Sequence, residues 1–423
     1  MDLTSAIPRR AAALIAEAMS DTPIVAINGP RQVGKSTLAA QVAESVGGIL
    51  LTLDDESQRA AANHDARAFV ERDVDGPLVI DEVQFAPPLF SALKAAVDRD
   101  RRAGRFVVTG STRLLSASGF ADAFVGRIEV VELWPLSQGE LDGRPDAFVD
   151  WAFSADPPMP KASTLTRRDY AQRLARGGFP EAVLREPRRR QRWFESYLVT
   201  LTENVVKRVA GIERPADLPR VVRLCAARSG EEVNVTSLAN ELGLPPRTLD
   251  GYLASLANAF VLQLVPAWST NLSKKVVRKP KLVLVDSGLA CHLTGMTPER
   301  IDDPVAPFGP LMESFVAMEL CKQLTWSDAR ATLSHFRNRD GAEVDLVLEH
   351  ADGRVVGVEV KAARTVSPRD AKGLRFLAER LGARFHRGIM LSCMSEPTPL
   401  GDRITALPLD ALWTAKPSLP VSR

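Results

Sequence analysis

An eight-residue segment near the N-terminus, Gly29–Ser36, has the residue types and spacing of a phosphate-binding loop. It fits the pattern G-x-x-x-x-G-K-[ST] and lies between an apolar run and a helical pattern. Its glycines let backbone N–H groups surround an anion, and the following helix adds its positive end. Lys35 would reach the β- and γ-phosphates, and Ser36 would supply a hydroxyl ligand to Mg²⁺. The expected nucleotide contacts are Gly29, Pro30, Arg31, Gln32, Val33, Gly34, Lys35, Ser36 and Thr37.

A second motif, Leu78–Glu82, is an apolar run that ends in two acids, as in a Walker B strand. We expect Asp81 to hold Mg²⁺, directly or through water, and Glu82 to activate the attacking water as a general base. A tight turn and a capped strand end without any nucleotide are the alternative explanation of the two motifs. The sequence contains no guanine-reading [NT]KxD motif, so ATP is favoured over GTP.

Two further polar residues are candidates for the hydrolysis step. Ser111 follows Thr109 and Gly110 at the end of the next apolar run, where a hydroxyl can orient water; a simple turn is the alternative. Arg127 precedes a later apolar run and is a candidate arginine finger, because the transferred phosphoryl group gathers negative charge. A solvated arginine is the alternative at that position.

Five apolar runs separated by helical patterns must position these residues. Such alternation predicts an α/β fold with a parallel sheet covered by helices on both faces. The runs are Pro23–Asn28, Ile49–Leu53, Pro77–Asp81, Arg105–Gly110 and Ile128–Leu133. We expect this P-loop core to occupy residues 1–150, followed by a Pro- and Ser-rich linker at Asp150–Thr166.

The next segment, residues 167–268, contains a helix-turn-helix pattern. Thr236–Leu242 and Arg247–Ala257 are joined by a Gly-Leu-Pro-Pro turn, and Ala259–Val265 is a candidate wing of a winged helix. Two basic segments could contact DNA phosphates. They comprise Arg185, Arg188, Arg189, Arg190 and Arg192, and Lys274, Lys275, Arg278, Lys279 and Lys281. The candidate recognition helix carries one arginine and also Asp250, so no sequence-specific readout is expected; DNA binding and a structural lid both remain open.

Several strings together resemble a bacterial and archaeal family of AAA+ ATPases with a C-terminal domain of unknown function. The matching strings are Ile7-Pro8-Arg9, Gly29 to Ser36, Leu53-Asp54-Asp55, Asp81-Glu82-Val83-Gln84, Gly110-Ser111, Pro135-Leu136-Ser137, Gly177-Gly178-Phe179-Pro180 and Asp286-Ser287-Gly288-Leu289. The resemblance covers nearly the whole chain. It implies an AAA+ core, a winged-helix segment and a restriction-endonuclease-like C-terminal domain, but no settled biological role.

A second group of acids lies in that C-terminal part. The predicted order over residues 310–393 is helix, three strands, helix and strand, which is the core layout of the PD-(D/E)XK nuclease fold. Strand alternation places Glu343 and Asp345 on one face of their strand.

Four residues of this part resemble a nuclease active site: Glu313, Asp345, Glu359 and Lys361. The carboxylates would hold Mg²⁺ against a phosphodiester, and Lys361 would position the attacking water or stabilise developing charge. A solvated strand face is the alternative.

Bulk properties limit the remaining possibilities. The chain has 423 residues, which predicts two or three domains, and a net charge of +2, which predicts no long-range field toward nucleic acid. The four cysteines are too widely spaced for a zinc site or a disulfide framework. No apolar run approaches the ~20 residues that span a membrane, so we expect a cytoplasmic protein. The expected domains are 1–150, 167–268 and 269–423.

The sequence thus predicts an ATPase that uses Mg²⁺ and is coupled to a nuclease-like domain acting on DNA. A homo-oligomer of this chain is compatible with that prediction. The alternative is a nucleotide-gated regulatory or toxin–antitoxin-type switch whose nuclease fold is catalytically inactive. Magnesium-dependent nicking of a plasmid would separate the two hypotheses.

Overall fold

The computed structural model describes residues 7–72, 76–114, 120–208, 215–269, 279–303, 308–338 and 341–418. The chain divides into two compact units. Unit 1 comprises Met1–Leu136 and Asn258–Val261, and unit 2 comprises Ser137–Ala257 and Leu262–Arg423. The predicted second and third domains both fall mainly within unit 2, and their boundaries stay a prediction. None of the helices in the described part of the chain is long and apolar enough to cross a membrane.

Unit 1 is built around a parallel sheet. Its strands are β1 (Ile24–Asn28), β2 (Ile49–Thr52), β3 (Leu78–Asp81), β4 (Phe106–Gly110) and β5 (Ile128–Glu132). Its helices are α1 (Ala11–Asp21), α2 (Lys35–Ser45), α3 (Glu56–His64), α4 (Ala66–Val70), α5 (Pro88–Arg99) and α6 (Phe120–Phe124). Each predicted apolar run contains one strand, and all neighbouring strands are parallel, so the predicted parallel α/β sheet is confirmed.

The strand order β2-β3-β4-β1-β5 decides which residues meet. Every residue of β1, β3 and β4 is buried, as expected for central strands of a parallel sheet. The carboxyl ends of parallel strands meet at one edge, which is where ligands bind in open α/β sheets. Because β4 lies between β1 and β3, the residues that follow it come between the phosphate loop and the acidic pair.

Unit 2 contains helices and a larger sheet. Its helices are α7 (Gln138–Asp142), α8 (Phe148–Phe153), α9 (Arg167–Arg176), α10 (Pro180–Val183), α11 (Pro187–Arg208), α12 (Leu218–Ala227), α13 (Val235–Leu242), α14 (Pro246–Asn258), α15 (Ser287–Thr294), α16 (Pro298–Asp302), α17 (Phe308–Trp326), α18 (Lys372–Leu381) and α19 (Ala411–Thr414). Its strands are β6 (Leu262–Val265), β7 (Lys281–Leu284), β8 (Ala331–Arg337), β9 (Glu343–His350), β10 (Val355–Lys361), β11 (Phe385–Ser392), β12 (Thr398–Gly401) and β13 (Ile404–Pro408).

The larger sheet is mixed, with six strands in the order β12-β13-β11-β10-β9-β8. β8, β9 and β10 are antiparallel neighbours, whereas β11 runs parallel to β10 and β13. The predicted order of helix, three strands, helix and strand is present in α17 to β11. β12 and β13 were not predicted from the sequence, and the nuclease-like fold stays a prediction because a mixed sheet alone is not specific to it.

The predicted helix-turn-helix segment contains α13 and α14, separated by Gly243 in the left-handed region (φ 67°). β6 pairs with β7 in an antiparallel two-stranded sheet. The winged helix stays a prediction, and Lys274, Lys275 and Arg278 lie outside the described residues.

The predicted linker at residues 150–166 is partly different in the structure. Its first residues continue α8, because Trp151 and Phe153 are buried against unit 2. Further along, Ser163 is buried and its N–H donates to the carbonyl of Ser395 at 2.8 Å. This segment is therefore packed against its unit rather than extended away from it.

Two of the strings noted in the sequence meet in unit 2. Asp286 caps α15 by accepting from the N–H of Leu289 at 2.8 Å, and it also accepts from the N–H of Gly178 at 2.7 Å. A Cβ on Gly177 would collide with the Asp286 carboxylate, and Gly177 has a φ of 68°. Glycine is therefore required at position 177 by the close approach of this buried acid.

Candidate nucleotide site and C-terminal acidic cluster

The phosphate loop lies at the carboxyl end of β1. Gln32 (φ 62°) and Gly34 (φ 93°) are both in the left-handed region, which turns backbone N–H groups toward a common concavity. A Cβ on Gly29 would collide with the carbonyl oxygen of Leu133, so only glycine fits at the loop entrance. Gly34 provides no capping side chain to α2, whose first N–H groups are a ready anion-binding site.

Lys35 and Arg9 hold this loop through its carbonyl groups. Lys35, only 4% exposed, donates from Nζ to the carbonyls of Gly29 (3.1 Å) and Pro30 (2.7 Å). Arg9 donates to the carbonyls of Val33 (2.7 Å) and Trp134 (2.6 Å). Arg9 is therefore a site residue that the sequence did not predict, although it belongs to the string Ile7-Pro8-Arg9.

Asp81 is the centre of a hydroxyl network. Its carboxylate accepts from Ser36 Oγ (2.9 and 3.1 Å), Thr109 Oγ1 (2.6 Å) and Thr52 Oγ1 (3.3 Å). Ser36 and Asp81, expected from sequence to share Mg²⁺, are thus brought together with the hard oxygen donors that this ion prefers. These residues fit the ion, and Thr52 and Thr109 are network members that the sequence analysis did not assign.

Glu82 adopts a left-handed backbone (φ 57°), which is uncommon for a residue with a Cβ. Its N–H donates to Thr109 Oγ1 at 2.9 Å, and its carboxylate accepts from Ser111 Oγ and Gln84 Nε2. Ser111 therefore lies directly against Glu82, as two residues of one site. Backbone outliers of this kind occur where the surrounding structure holds a functional residue in place.

Two buried amide oxygens beside this network lack protein partners. In the described part of the chain, Asn28 Oδ1 and Gln84 Oε1 accept no hydrogen bond. Asn28 is the last residue of β1 and directly precedes the phosphate loop. Buried acceptors are normally satisfied, so this pair fits a site that exchanges water for a ligand. The sequence analysis had singled out neither residue for such a role.

Arg127 is placed away from the phosphate loop. It precedes Ile128, which pairs with Ile24 at the amino end of β1, and its guanidinium binds Asp98 at 2.7 Å. Because strands rise about 3.3 Å per residue, roughly 15 Å of sheet separates it from the loop. Arg127 therefore does not reach a nucleotide on its own unit, and its predicted role would require a neighbouring copy.

The structure brings the predicted nuclease residues together in unit 2. We call Glu313, Glu343, Asp345 and Glu359 the C-terminal acidic cluster. Asp345 accepts from the N–H of Val360 at 2.8 Å across the β9–β10 pair. A Cβ on Gly373, in the first turn of α18, would collide with the carbonyl of Glu343 and the carboxylate of Glu359. The cluster is thus covered closely by α18.

A buried lysine occupies this cluster. Lys281, 3% exposed, binds Glu313 at 2.6 Å and Glu343 at 3.2 Å. The interpretation of Lys281 as part of a basic segment that faces DNA phosphates is wrong, because its ammonium is buried among carboxylates. The charge pattern alone could not show this, since the partners are more than thirty positions away in the chain.

The carboxylates of the cluster also raise one another's pKa. Burial and the nearby Asp345 carboxylate raise the pKa of Glu359 to about 9, and the same two causes raise the pKa of Glu313 to about 7. A group of three or more His, Cys, Asp or Glu side chains arranged to hold a metal ion does not occur among the described residues. The cluster therefore does not fit the Mg²⁺ site expected from sequence.

Three family models match separate parts of this chain. Residues 21–142 match a family described as an AAA domain. Residues 167–300 and 308–412 match two families described as domains of unknown function, DUF8612 and DUF4143.

Two curated relatives extend over nearly the whole chain. They are uncharacterized proteins of Mycobacterium tuberculosis and Mycobacterium bovis, each 28% identical over 413 residues. The match covers 96% of this chain and 84% of each relative.

Solved structures show only a low similarity. The Thermotoga maritima RuvB Holliday junction branch migration motor is 18% identical, covering 60% of this chain and 87% of that one, with a TM-score of 0.27. A STAND protein of Pyrococcus horikoshii is 12% identical, covering 74% and 49%, with a TM-score of 0.21. Values this low carry no conclusion, so the comparisons show that the phosphate-loop region is similar to AAA domains and that the later two regions are similar to domains of unknown function.

Proposed function

We propose that unit 1 binds ATP with Mg²⁺ and hydrolyses it. The observation that carries this proposal is the arrangement of Asp81, which accepts hydrogen bonds from Ser36 of the phosphate loop and Thr109 of β4. One carboxylate thereby links the loop to the strand that leads to Ser111. The match of residues 21–142 to AAA domains supports the same function.

Each residue has a distinct task in this proposal. The loop N–H groups and Lys35 bind the phosphates, with the ammonium exchanging its present carbonyl acceptors for phosphate oxygens. Ser36 and Asp81 hold Mg²⁺, which neutralises charge on the phosphates. Glu82 accepts a proton from the attacking water while Ser111 and Gln84 orient its carboxylate.

ATP turnover by purified protein tests this proposal. Wild type should hydrolyse ATP in the presence of Mg²⁺, and Lys35→Ala should abolish binding of a fluorescent ATP analogue. Lys94→Ala is the matched control, because Lys94 is an exposed lysine on α5 of the same unit. Unchanged affinity in Lys35→Ala would remove the phosphate-site assignment.

For the C-terminal unit, the contacts favour the regulatory alternative over DNA cleavage. The Lys281 ammonium already neutralises Glu313 and Glu343, and α18 covers the cluster. Purified protein should therefore leave supercoiled, linear and single-stranded DNA and RNA intact in Mg²⁺ or Mn²⁺, with or without ATP. Cleavage that Asp345→Ala or Lys361→Ala stops, while ATPase turnover continues, would establish the nuclease hypothesis instead.

Two predictions about partners depend on this function. An arginine finger from Arg127 requires a homo-oligomer, because Arg127 lies at the opposite end of β5 from the loop. Light scattering with a slowly hydrolysed ATP analogue tests assembly. Binding of DNA without sequence-specific readout should change ATP turnover, so turnover with and without DNA of mixed sequence tests that partner.

A further inference from the structure

Unit 2 contains a cavity of about 610 Å³ whose walls come from three helices. α9 supplies Arg173 and Arg176, the first turn of α11 supplies Arg188 and Arg190, and α16 begins at the rim. Two of these arginines belong to the first basic segment recognised in the sequence. The volume lies within the ~300–1,000 Å³ typical of pockets for small ligands.

Two acidic residues line the cavity, and one of them already accepts hydrogen bonds from its own helix terminus. Asp169 accepts from the N–H (2.7 Å) and hydroxyl (2.6 Å) of Thr166 in a capping box. Glu299 is the other acid of the lining, and it lies in the first turn of α16. Arg173 binds Asp142 at 2.9 Å. Four guanidinium groups thus face the two lining carboxylates and Asp142, and the cavity carries excess positive charge.

Three of the arginines have no acidic partner. Among the residues that the structure describes, no carboxylate lies within ion-pair distance of Arg176, Arg188 or Arg190. The Nε of Arg176 is buried without a hydrogen-bond acceptor. Arg190 is held by the carbonyls of Ala182 (3.0 Å) and Arg185 (2.8 Å), which position the guanidinium without neutralising it.

Burying these guanidinium groups close to one another costs free energy. Burial and the neighbouring arginine Arg173 lower the pKa of Arg176, and burial lowers the pKa of Arg190. Both shifts reflect guanidinium groups whose loss of water is only partly offset by nearby carboxylates, Asp142 for Arg176 and Glu186 and Asp286 for Arg190. The N-terminal end of α11, a helix of 22 residues, adds partial positive charge beside Arg188.

We propose that this cavity binds a small phosphorylated ligand, of about mononucleotide size, through Arg176, Arg188 and Arg190. Planar guanidinium groups match the oxygens of a phosphate in a bidentate manner, and several of them together favour a multiply charged group over a single carboxylate. The site lies wholly in unit 2 and is separate from the phosphate loop. It does not depend on the proposed ATPase function.

The experiment uses full-length protein carrying Lys35→Ala, so that the phosphate loop does not contribute. Calorimetric titration with tripolyphosphate and with AMP should detect binding that weakens with salt. Arg188→Gln and Arg176→Gln should each weaken it about 10-fold or more, the usual effect of losing a charge-assisted hydrogen bond. Arg189→Gln is the matched control: Arg189 is exposed and adjacent, does not line the cavity, and should change affinity less than about 2-fold.

Specific outcomes would overturn the proposal. These are the absence of binding by both probes in the Lys35→Ala background, or equal losses in the Arg188 and Arg189 variants. A third is Arg188-dependent binding of a single-stranded oligonucleotide without binding of either small probe, which would identify a nucleic-acid contact instead. Arg188 is exposed, so its variant should fold normally, and an unchanged thermal midpoint checks this. ATPase activity of the chain with Lys35 intact reports separately on unit 1.

Discussion

The nucleotide site of unit 1 and the acidic cluster of unit 2 both combine a buried lysine with carboxylates, yet their contacts differ. In unit 1, Lys35 donates to two carbonyls of its own loop, and Asp81 accepts from three hydroxyl groups. In unit 2, Lys281 binds two glutamates directly. Hydroxyl and carbonyl partners are neutral and exchange readily for a charged ligand, whereas an ion pair has already satisfied its own charges.

The two sites also differ in how accessible their residues are to solvent and ligands. Ser36 is exposed at the start of α2, next to a loop with open N–H groups. Glu359 is 5% exposed and lies beneath the first turn of α18. Similar residue types are therefore arranged for binding in one unit and for internal neutralisation in the other.

The largest expected effect is on catalysis in unit 1. Glu82→Gln retains the size and hydrogen bonding of the side chain but removes the base, so ATP should bind normally and turn over slower by a factor of about 10²–10⁴. Single-turnover hydrolysis and analogue binding measure the two steps. Turnover near that of the wild type would show that Glu82 is structural, and the acid of unit 1 would then differ less from the acids of unit 2.

The second prediction concerns the buried lysine of unit 2. Lys281→Met leaves Glu313 and Glu343 without their counter-ion and should lower the free energy of unfolding by about 3–5 kcal/mol, the usual cost of breaking a buried pair. Denaturant unfolding of unit 2 measures this, with exposed Lys279→Met as control. Adding Glu313→Gln should restore part of the loss. Equal stability together with new Mn²⁺ binding would make the cluster a metal site that lysine blocks.

The third prediction is a pH dependence. The pKa of Glu359 in the folded protein, about 9, lies above its ordinary value near 4.5, so the folded state favours the protonated acid. Its contribution to stability is fully present below about pH 4.5 and is lost as the pH rises toward 9. The thermal midpoint should therefore fall with rising pH more steeply in wild type than in Glu359→Gln. Glu379→Gln, an exposed acid of α18, should leave the slope unchanged; equal slopes in all three proteins would contradict the assignment.

The smallest effect is expected at Arg127. Its contacts are with Asp98 and the carbonyl of Val125, away from the phosphate loop. At protein concentrations where the chain is monomeric, Arg127→Ala should change ATP turnover less than about 2-fold. The reason is that Arg127 does not contact the transferred phosphoryl group within its own chain. A loss near 10³-fold that appears only at concentrations where the chain assembles would instead support an arginine finger supplied by a neighbouring copy.

Much of unit 1 could be predicted from sequence because its signals are local. A mainly apolar run followed by a glycine-rich turn and a helix specifies β1, the loop and α2 within about twenty residues. The same local logic located β3 with Asp81 and Glu82 at its end. It did not locate Arg9, whose partners Val33 and Trp134 are remote in sequence.

In unit 2, the same approach found the order of the elements but not their partners. Alternation along β9 placed Glu343 and Asp345 on one face, and alternation along β10 placed Glu359 and Lys361 on one face, because side-chain direction follows from strand geometry alone. The position of Lys281 depends on how β7 packs beside α17, and no local pattern contains that information. A run of lysines therefore suggested a solvated face when one of its members was buried.

By itself the sequence determined the phosphate loop, the acidic strand end and the parallel sheet of unit 1, since each follows from residue spacing over a single element. Only the tertiary structure decided which groups these residues face. The strand order placed Thr109 on Asp81, and the packing of unit 2 placed Lys281 on Glu313. The physical reason is that side-chain chemistry is set by desolvation and by the nearest charges, and both come from residues distant in the chain.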